Sequence, residues 1–272
     1  MNFWTELSII YANQKSYLDD LFQVYPTIPN GIREINSTIW SEVENAFHEK
    51  NNIKLIKNLL LLEKFPFKDS YVNFFRLDDS SFQRNPQTIN RLAGMVYSMG
   101  LEKLFDESSE PKETNTQIGG KFNNWLNKGV LGVLPVEESV FLSNNENAIL
   151  KGGDKKLTSF SQQHFSYTKD KGLDFVARFN GKYVIGEAKF ISAIGGNQGT
   201  AFTDVITTIT SDVQGAITIG ILDGIPLLKD KSPYYSKITT DYKEQNIMSS
   251  LVLREFLYQL WDYEKKYINK RR

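Results

Sequence analysis

The 272-residue sequence contains no cysteine and only two histidines, His48 and His164. The absence of cysteine excludes disulfide bonds, thiolate catalysis and zinc sites with cysteine ligands. Two imidazole side chains also disfavour a metal site built mainly from histidine. A metal ion bound to this chain is therefore expected to have oxygen ligands.

The sequence has no excess of charge of either sign. Lys plus Arg and Asp plus Glu both number 32, so the formal net charge is zero. This balance excludes a uniformly basic surface of the kind that coats nucleic acid, but it does not exclude a locally basic cleft. Apolar residues make up 40% of the chain and aromatic residues 13%, which is typical of a globular protein with a substantial core.

Long apolar runs are also missing. The most apolar segment, IKLIKNLLLLEKF at residues 53–65, is short and interrupted by charged residues. Its pattern predicts an amphipathic helix and not a membrane span. The first residues, MNFWTELSII, lack the basic and apolar regions of a signal peptide. We therefore expect a cytoplasmic protein without membrane association.

The two halves of the sequence have different periodicities. Helical spacing of apolar residues predicts helices within residues 1–24, 33–64 and 86–107, and a polar, proline-containing loop at 106–117. From residue 172 the expected order is strand, strand, helix at 201–212, strand at 215–226 and helix at 244–269. We predict a mainly helical region over residues 1–110 and an α/β core over 111–272, in which helices flank a mixed central β-sheet.

The segment GLDFVARFNGKYVIGEAKF, residues 172–190, predicts a β-hairpin. Asn180-Gly181 favours a two-residue type I′ turn, because both turn positions need a positive φ. This turn fixes the register, so that Phe179 pairs with Lys182 and Asp174 is expected opposite Glu187. Such a non-hydrogen-bonded pair has its Cα atoms about 4.5 Å apart. Lys189 lies on the same face as Glu187, two residues farther along the strand.

Two opposed carboxylates destabilise a sheet unless one takes up a proton or both bind a cation. Oxygen ligands favour a hard ion such as Mg²⁺. The small neighbours of Glu187, Gly186 and Ala188, suggest that a bulky partner such as the DNA backbone approaches this strand. The alternative is an ordinary charged hairpin in which Lys189 simply neutralises Glu187.

Asp174 and the Glu187-Ala188-Lys189 tripeptide resemble the motif of the PD-(D/E)XK nuclease superfamily, except that Leu173 stands where the motif has proline. Over roughly residues 117–262 the chain is similar to type II restriction endonucleases. The segments that carry this similarity are FNNWLNKGVLG, ILKGGD, KGLDFVARFNGKYVIGEAKF, GGNQGTAFTD and NIMSSLVLREFLYQL.

The resemblance implies a Mg²⁺-dependent hydrolase that cuts double-stranded DNA at a short recognition sequence and leaves 5′-phosphate and 3′-hydroxyl ends. Asp174 and Glu187 would hold the metal with the carbonyl of Ala188, and Lys189 would orient or activate the attacking water. Further acidic ligands could come from elsewhere in the chain, with candidates Glu42, Glu44, Glu137 and Glu138.

Contacts with DNA are expected from a glycine-rich loop and from lysines. The backbone of a glycine loop can approach a phosphate closely, and lysine side chains neutralise phosphate charge. The expected contact residues are Gly195, Gly196, Asn197, Gln198, Lys121, Lys155, Lys156 and Lys171.

A palindromic target predicts a homodimer, and a restriction function predicts a cognate DNA methyltransferase as a genetic partner. Two alternatives stay open at this point. One is a repair or recombination nuclease of the same fold, directed to DNA structure or damage. The other is a DNA-binding or interaction protein with a non-catalytic charged hairpin.

Overall fold

The computed structural model describes residues 1–26, 33–111, 118–170 and 172–260. The chain folds into two compact units, one made of Met1–Thr27 with Asn115–Arg272 and the other of Ile28–Thr114. The sequence prediction assigned residues 1–27 to the helical region, whereas in the structure they belong to the unit that contains the β-sheet.

The unit of Ile28–Thr114 is helical throughout its described elements. Its core is formed by apolar side chains at helical spacing, such as Leu55, Ile56 and Leu59, which are fully buried. The helices are α3 Ser37–His48, α4 Asn52–Leu61, α5 Val72–Leu77, α6 Ser81–Arg84, α7 Pro86–Met99 and α8 Leu101–Ser109.

The larger unit combines a sheet with helices. Its helices are α1 Phe3–Ala12, α2 Tyr17–Val24, α9 Ile118–Leu126, α10 Glu138–Ser143, α11 Asp154–Phe165, α12 Asn197–Ile209, α13 Pro233–Thr239 and α14 Leu253–Tyr258. Its strands are β1 Pro135–Val136, β2 Ala148–Leu150, β3 Phe175–Phe179, β4 Lys182–Ile191, β5 Ala216–Gly224 and β6 Ile247–Met248.

In the described part of the chain the six strands form one sheet in the order β1-β2-β3-β4-β5-β6. The pairs β2–β3 and β3–β4 are antiparallel, and the other pairs are parallel. The mixed sheet flanked by helices, predicted from the sequence, is thus confirmed. Strands β1, β2 and β6 were not predicted, because two or three residues are too few to show an alternating pattern.

The β3–β4 hairpin has the turn that its sequence demands. Asn180 and Gly181 have φ values of 51° and 72°, as a type I′ turn requires. The register places Phe179 opposite Lys182 and Phe175 opposite Gly186, which is the predicted pairing. β4 is the longest strand of the described sheet and continues to Ile191, well beyond the end of its ladder with β3.

A buried carboxylate helps to explain why the first helices pack with the sheet. Asp223 lies near the end of β5 with its side chain excluded from solvent. Its carboxylate accepts hydrogen bonds from the hydroxyl of Tyr25 at 3.0 Å and from that of Ser249 at 2.5 Å. A buried acceptor is stable only when such donors are present. Asp223 therefore links the segment after α2 to the segment after β6.

The predicted long helix at 244–269 is wrong at its start and is confirmed only over α14, Leu253–Tyr258. Ile247 and Met248 instead pair with β5 as β6, and a short 3-10 turn at Ser250–Val252 precedes α14. The amphipathic spacing is real, but pairing with β5 and the capture of the Ser249 hydroxyl by Asp223 interrupt the helix. Residues 261–269 lie outside the described residues.

None of the helices in the described ranges combines the length and apolar character needed to cross a membrane.

Candidate active site

Strand β4 and the end of β3 bring three charged side chains together. Glu187 and Lys189 are two residues apart on β4, so their side chains lie on the same face of the sheet. Asp174 directly precedes β3, and its backbone N–H donates to the carbonyl of Gly186 at 3.1 Å. The ladder therefore ends at Phe175–Gly186, and the predicted Asp174–Glu187 pair is not part of it.

The ammonium of Lys189 joins the two carboxylates. Its Nζ lies 3.3 Å from Oδ2 of Asp174 and forms a close ion pair with Oε1 of Glu187. The same Oδ2 atom accepts a hydrogen bond from the backbone N–H of Ala188 at 3.0 Å. This N–H therefore helps to hold the Asp174 carboxylate beside Lys189.

The two carboxylates are almost completely enclosed. The side chains of Asp174 and Glu187 are 6% exposed, whereas that of Lys189 is 27% exposed. Burial and the charge of Asp174 raise the pKa of Glu187 to about 8, although Lys189 opposes the shift. Burial also raises the pKa of Asp174 against the opposing charge of Lys189. The site therefore brings two acids together where solvent cannot stabilise their charges, so it favours binding of a proton or of a cation.

The pKa of Lys189 is displaced in the opposite direction to the one that burial alone would give. Desolvation lowers the pKa of a buried ammonium, but the nearby charges of Asp174 and Glu187 outweigh this effect and raise it above its ordinary value. Lys189 is therefore protonated in this arrangement. As a protonated donor it can hold a water molecule or a phosphate oxygen.

The small residues around Glu187 serve packing and do not leave room for DNA. A Cβ atom on Gly186 would lie 2.6 Å from Cγ1 of Ile219, and Ala188 is only 2% exposed. Both positions are filled by the core of the protein. The expectation that the DNA backbone approaches the strand through these residues is therefore wrong.

Helix α12 packs directly against the sheet beside Glu187. Gly220 on β5 is the register partner of Glu187, and a Cβ atom on Gly220 would lie 2.5 Å from Cγ1 of Val205 in α12. The absence of a side chain at this position therefore permits the close approach of the helix. This packing also places Asp204, the neighbour of Val205, close enough for its charge to raise the pKa of Glu187.

Sequence reasoning missed two acids whose charges reach the three-residue cluster. The charge of Asp204 contributes to the raised pKa of Glu187, and that of Asp154, in the first turn of α11, contributes to the raised pKa of Asp174. Neither has a spacing that connects it to the hairpin. Of the acids proposed as further ligands, Glu137 instead pairs with Lys151 and Lys156, each at 3.1 Å.

The carboxylates fit a hard divalent cation, although they do not form a complete cage. Oε2 of Glu187 is buried and has no hydrogen-bond partner within the described residues. Asp174 and Glu187 also contact one and the same cationic nitrogen, so one metal ion could lie between them. Across the described ranges, however, no group of three or more His, Asp or Glu residues is arranged to hold a metal. Backbone oxygens, water or substrate would complete the coordination.

A cleft of about 330 Å³ borders the cluster at Asp174. One wall is formed by α9, and the other comes from the ends of β1 and β2 and the loop that follows. The cleft reaches Asp174, whose side chain is only 6% exposed. Its lining residues are Asn123, Leu126, Asn127, Pro135, Ile149, Leu150, Lys151, Gly152, Gly153 and Asp174.

The residues of the glycine-rich segment lie between β4 and α12. Gly195 and Gly196 are exposed and have positive φ values of 87° and 53°, so they form the expected loop. Asn197 and Gln198 instead begin α12, and Oε1 of Gln198 accepts from the backbone N–H of Ser192 at 3.3 Å. Two of the four residues expected in the glycine-rich loop therefore belong to α12.

The expected lysine contacts are dispersed over the surface. Lys155 is exposed on α11, and Lys156 of the same helix pairs with Glu137. Lys121 is half-buried on α9. Lys171 lies outside the described residues. None of the three described lysines contacts the carboxylates of Asp174 and Glu187.

Comparison with known proteins assigns the chain to a family. A family model described as Tsp45I type II restriction enzyme matches residues 2–260. The chain belongs to this family. No curated protein and no solved structure matches it significantly.

Membership of the Tsp45I type II restriction enzyme family confirms that the protein is a restriction endonuclease, and such an enzyme acts on DNA. The match includes both the helical unit and the hairpin that carries Asp174, Glu187 and Lys189, although it assigns no role to individual residues. It favours restriction over the two alternatives that the sequence alone left open, the repair nuclease and the non-catalytic binding protein.

Proposed function

We propose that this enzyme hydrolyses phosphodiester bonds of double-stranded DNA at a short recognition sequence, that it depends on Mg²⁺, and that it uses a PD-(D/E)XK site. The observation that carries the proposal is the pair of buried carboxylates bridged by one ammonium, in a chain that belongs to a restriction enzyme family. An enclosed acid pair beside an open cleft is costly for the fold, and metal-assisted phosphodiester hydrolysis explains why it is there.

Asp174 and Glu187 would hold the divalent cation, and the carbonyl of Ala188 would be a further ligand. Oε2 of Glu187, which lacks a partner among the described residues, is available to a metal ion without breaking any hydrogen bond. A bound cation would lower the pKa of a water molecule and would stabilise the charge that grows on the phosphoryl oxygens. The Ala188 N–H keeps the Asp174 carboxylate in position.

Lys189 would orient the attacking water and offset the charge of the scissile phosphate. In the structure its ammonium is already held at the carboxylates, and its side chain is the most exposed of the three. Water attacks phosphorus in line with the leaving 3′ oxygen, which gives 5′-phosphate and 3′-hydroxyl ends. The raised pKa of Lys189 in the metal-free site favours an electrostatic and positional contribution.

DNA binding would involve residues around the cluster. The exposed Gly195-Gly196 loop with Asn197 and Gln198 is one proposed contact region, and the lysines Lys121, Lys155, Lys156 and Lys171 form another. A homodimer would place one cluster on each strand of a symmetric target. A cognate methyltransferase would protect the host DNA, as a genetic partner that need not bind the enzyme.

The test is digestion of a sequenced plasmid by the wild-type protein in Mg²⁺, with EDTA as the control. We expect discrete fragments whose ends map to one recurring sequence and carry 5′-phosphates, and intact plasmid in EDTA. Random degradation, nicking without a preferred sequence, or full activity in EDTA would contradict the proposal.

A further inference from the structure

The wall of the cleft formed by α9 and the residue after it carries two side-chain amides that have no partner among the described residues. Asn123 and Asn127 both line the cleft that reaches Asp174. Asn123 is half-buried and Asn127 is exposed. Neither side-chain amide hydrogen-bonds to any residue in the described part of the chain. Each has two donors and one acceptor oxygen, so this wall has hydrogen-bonding capacity that the protein itself does not use.

The core anchors the helix that carries Asn123. Asn127 follows α9 directly, and its backbone N–H still donates to the carbonyl of Asn123 at 3.0 Å. Residues four apart in such a helical turn lie one above the other, so the two side chains lie on the same side. The opposite side of the helix is anchored by Phe122, which is fully buried, and Trp125, which is 9% exposed. The rings of Phe122 and Phe175 meet edge to face with centroids 6.5 Å apart. Because Phe175 follows Asp174 directly, α9 is packed against the residue next to the acid cluster.

The size of the cleft suits a segment of one DNA strand better than a whole duplex. Its volume of about 330 Å³ lies at the lower end of the range for small-molecule sites, which leaves room for one sugar-phosphate unit. A Cβ atom on Gly153 would find nothing within 4 Å, so the wall opposite α9 is open to an approaching strand. The cleft also ends at Asp174, where the scissile phosphate must lie if the proposed function is correct.

The neutral character of the two amides is important at this position. A lysine beside Asp174 would pair with the acids, as Lys189 does, and would compete with a metal ion. An asparagine amide donates hydrogen bonds to a phosphate oxygen without adding a competing cation. The charge of Lys151, which also lines the cleft, is partly neutralised by Glu137 at 3.1 Å.

We propose that Asn123 and Asn127 hydrogen-bond the sugar–phosphate backbone of the strand being cut, next to the scissile phosphate. This inference rests on the proposed function and adds a substrate-binding surface to it. Backbone contacts position DNA without reading its sequence. The two asparagines therefore contribute to affinity and alignment, and the choice of recognition sequence is made elsewhere.

The test compares Asn123→Ala and Asn127→Ala with Asn124→Ala, a matched control. Asn124 lies on the same helix and is exposed, but it does not line the cleft. The probe is a duplex oligonucleotide that contains a site mapped from the wild-type plasmid digest, and its binding is measured in metal-free buffer. We expect each cleft variant to bind about threefold to tenfold more weakly, as for the loss of one hydrogen bond. Asn124→Ala should stay within about twofold of wild type.

A charge introduced at the same positions sharpens the test. Asn127→Asp should weaken binding more than Asn124→Asp, because only the first places a carboxylate against the phosphates, and the difference should shrink at high salt. Thermal unfolding shows whether each variant is folded. Should Asn123→Ala unfold, the exposed Asn127 variants still decide the question.

The outcomes separate this inference from the proposed function. Equal affinities for the cleft variants and their Asn124 controls would overturn the inference while the wild type still cuts. A changed recognition sequence in the cleft variants would also overturn it, because the contact would then be to bases. A wild-type protein that leaves the plasmid intact in Mg²⁺ overturns the proposed function, and the inference fails with it.

Discussion

Replacing Glu187 with glutamine should make the metal-free protein more stable at alkaline pH but not at acidic pH. Burial and the charge of Asp174 raise the pKa of this carboxyl group from 4.5 to about 8 in the folded chain. Between these two pH values the folded state keeps a proton that the unfolded state has released. Stability is therefore lost progressively as the pH rises from about 4.5 to about 8.

The size of the effect follows from the gap between the two pKa values. One pKa unit corresponds to about 1.4 kcal/mol, so this gap sets a ceiling of about 5 kcal/mol. Glu187 is 6% exposed and contacts Lys189, so solvent screening reduces the effect little. Glutamine has the same shape and does not ionise. The stability of Glu187→Gln relative to wild type should therefore rise by about 2–5 kcal/mol between pH 5 and pH 8.5.

The assay is urea unfolding in EDTA at pH 5 and pH 8.5 for wild type, Glu187→Gln and a control, Glu6→Gln. Glu6 is an exposed acid on α1, so its replacement controls for the loss of one surface carboxylate. If the difference in free energy of unfolding between Glu187→Gln and wild type is the same at pH 5 and pH 8.5, the reasoning is refuted. Glu187 would then have an ordinary pKa in the folded protein.

Three further outcomes are expected. Asp223→Ala should lower the free energy of unfolding by about 2–4 kcal/mol, because it leaves buried donors without an acceptor; urea unfolding measures this, and a loss below about 1 kcal/mol would contradict it. Gly220→Ala should lower the free energy of unfolding by about 1–3 kcal/mol, since its Cβ would lie 2.5 Å from Cγ1 of Val205. Gly94→Ala in α7, where a Cβ has open space around it, should not lower it. Ca²⁺ should raise the Tm of wild type more than that of Asp174→Asn, and equal shifts would argue against a cation at Asp174.

The hairpin could be predicted from local sequence because its turn type depends on the two residues of the turn. Asn180-Gly181 permits only a few turn geometries, so the turn and the register could be derived without any knowledge of the rest of the chain. The convergence of Asp174, Glu187 and Lys189 followed from that register. The detail that failed, the direct Asp174–Glu187 pair, depends on the hydrogen bond from the Ala188 N–H to a side chain, which strand periodicity does not encode.

The remaining errors have tertiary causes. The segment after residue 244 has helical spacing, but two of its residues pair with β5 and its serine hydroxyl is bound by Asp223, which lies in a distant part of the sequence. The close approach of Val205 to Gly220, which brings Asp204 near Glu187, likewise depends on two elements that meet only in the fold. Local propensity cannot predict such pairings, because their stability comes from long-range contacts.

The most direct test of the account is single-turnover cleavage of plasmid DNA in Mg²⁺ by Lys189→Met, with Lys169→Met as the control. Lys169 is an exposed lysine outside the cluster. If Lys189 holds the reacting water and phosphate, its loss should slow cleavage by at least about 10²-fold while binding of the mapped duplex is retained. Cleavage by Lys189→Met at the rate of Lys169→Met would show that the three-residue cluster is not the catalytic centre.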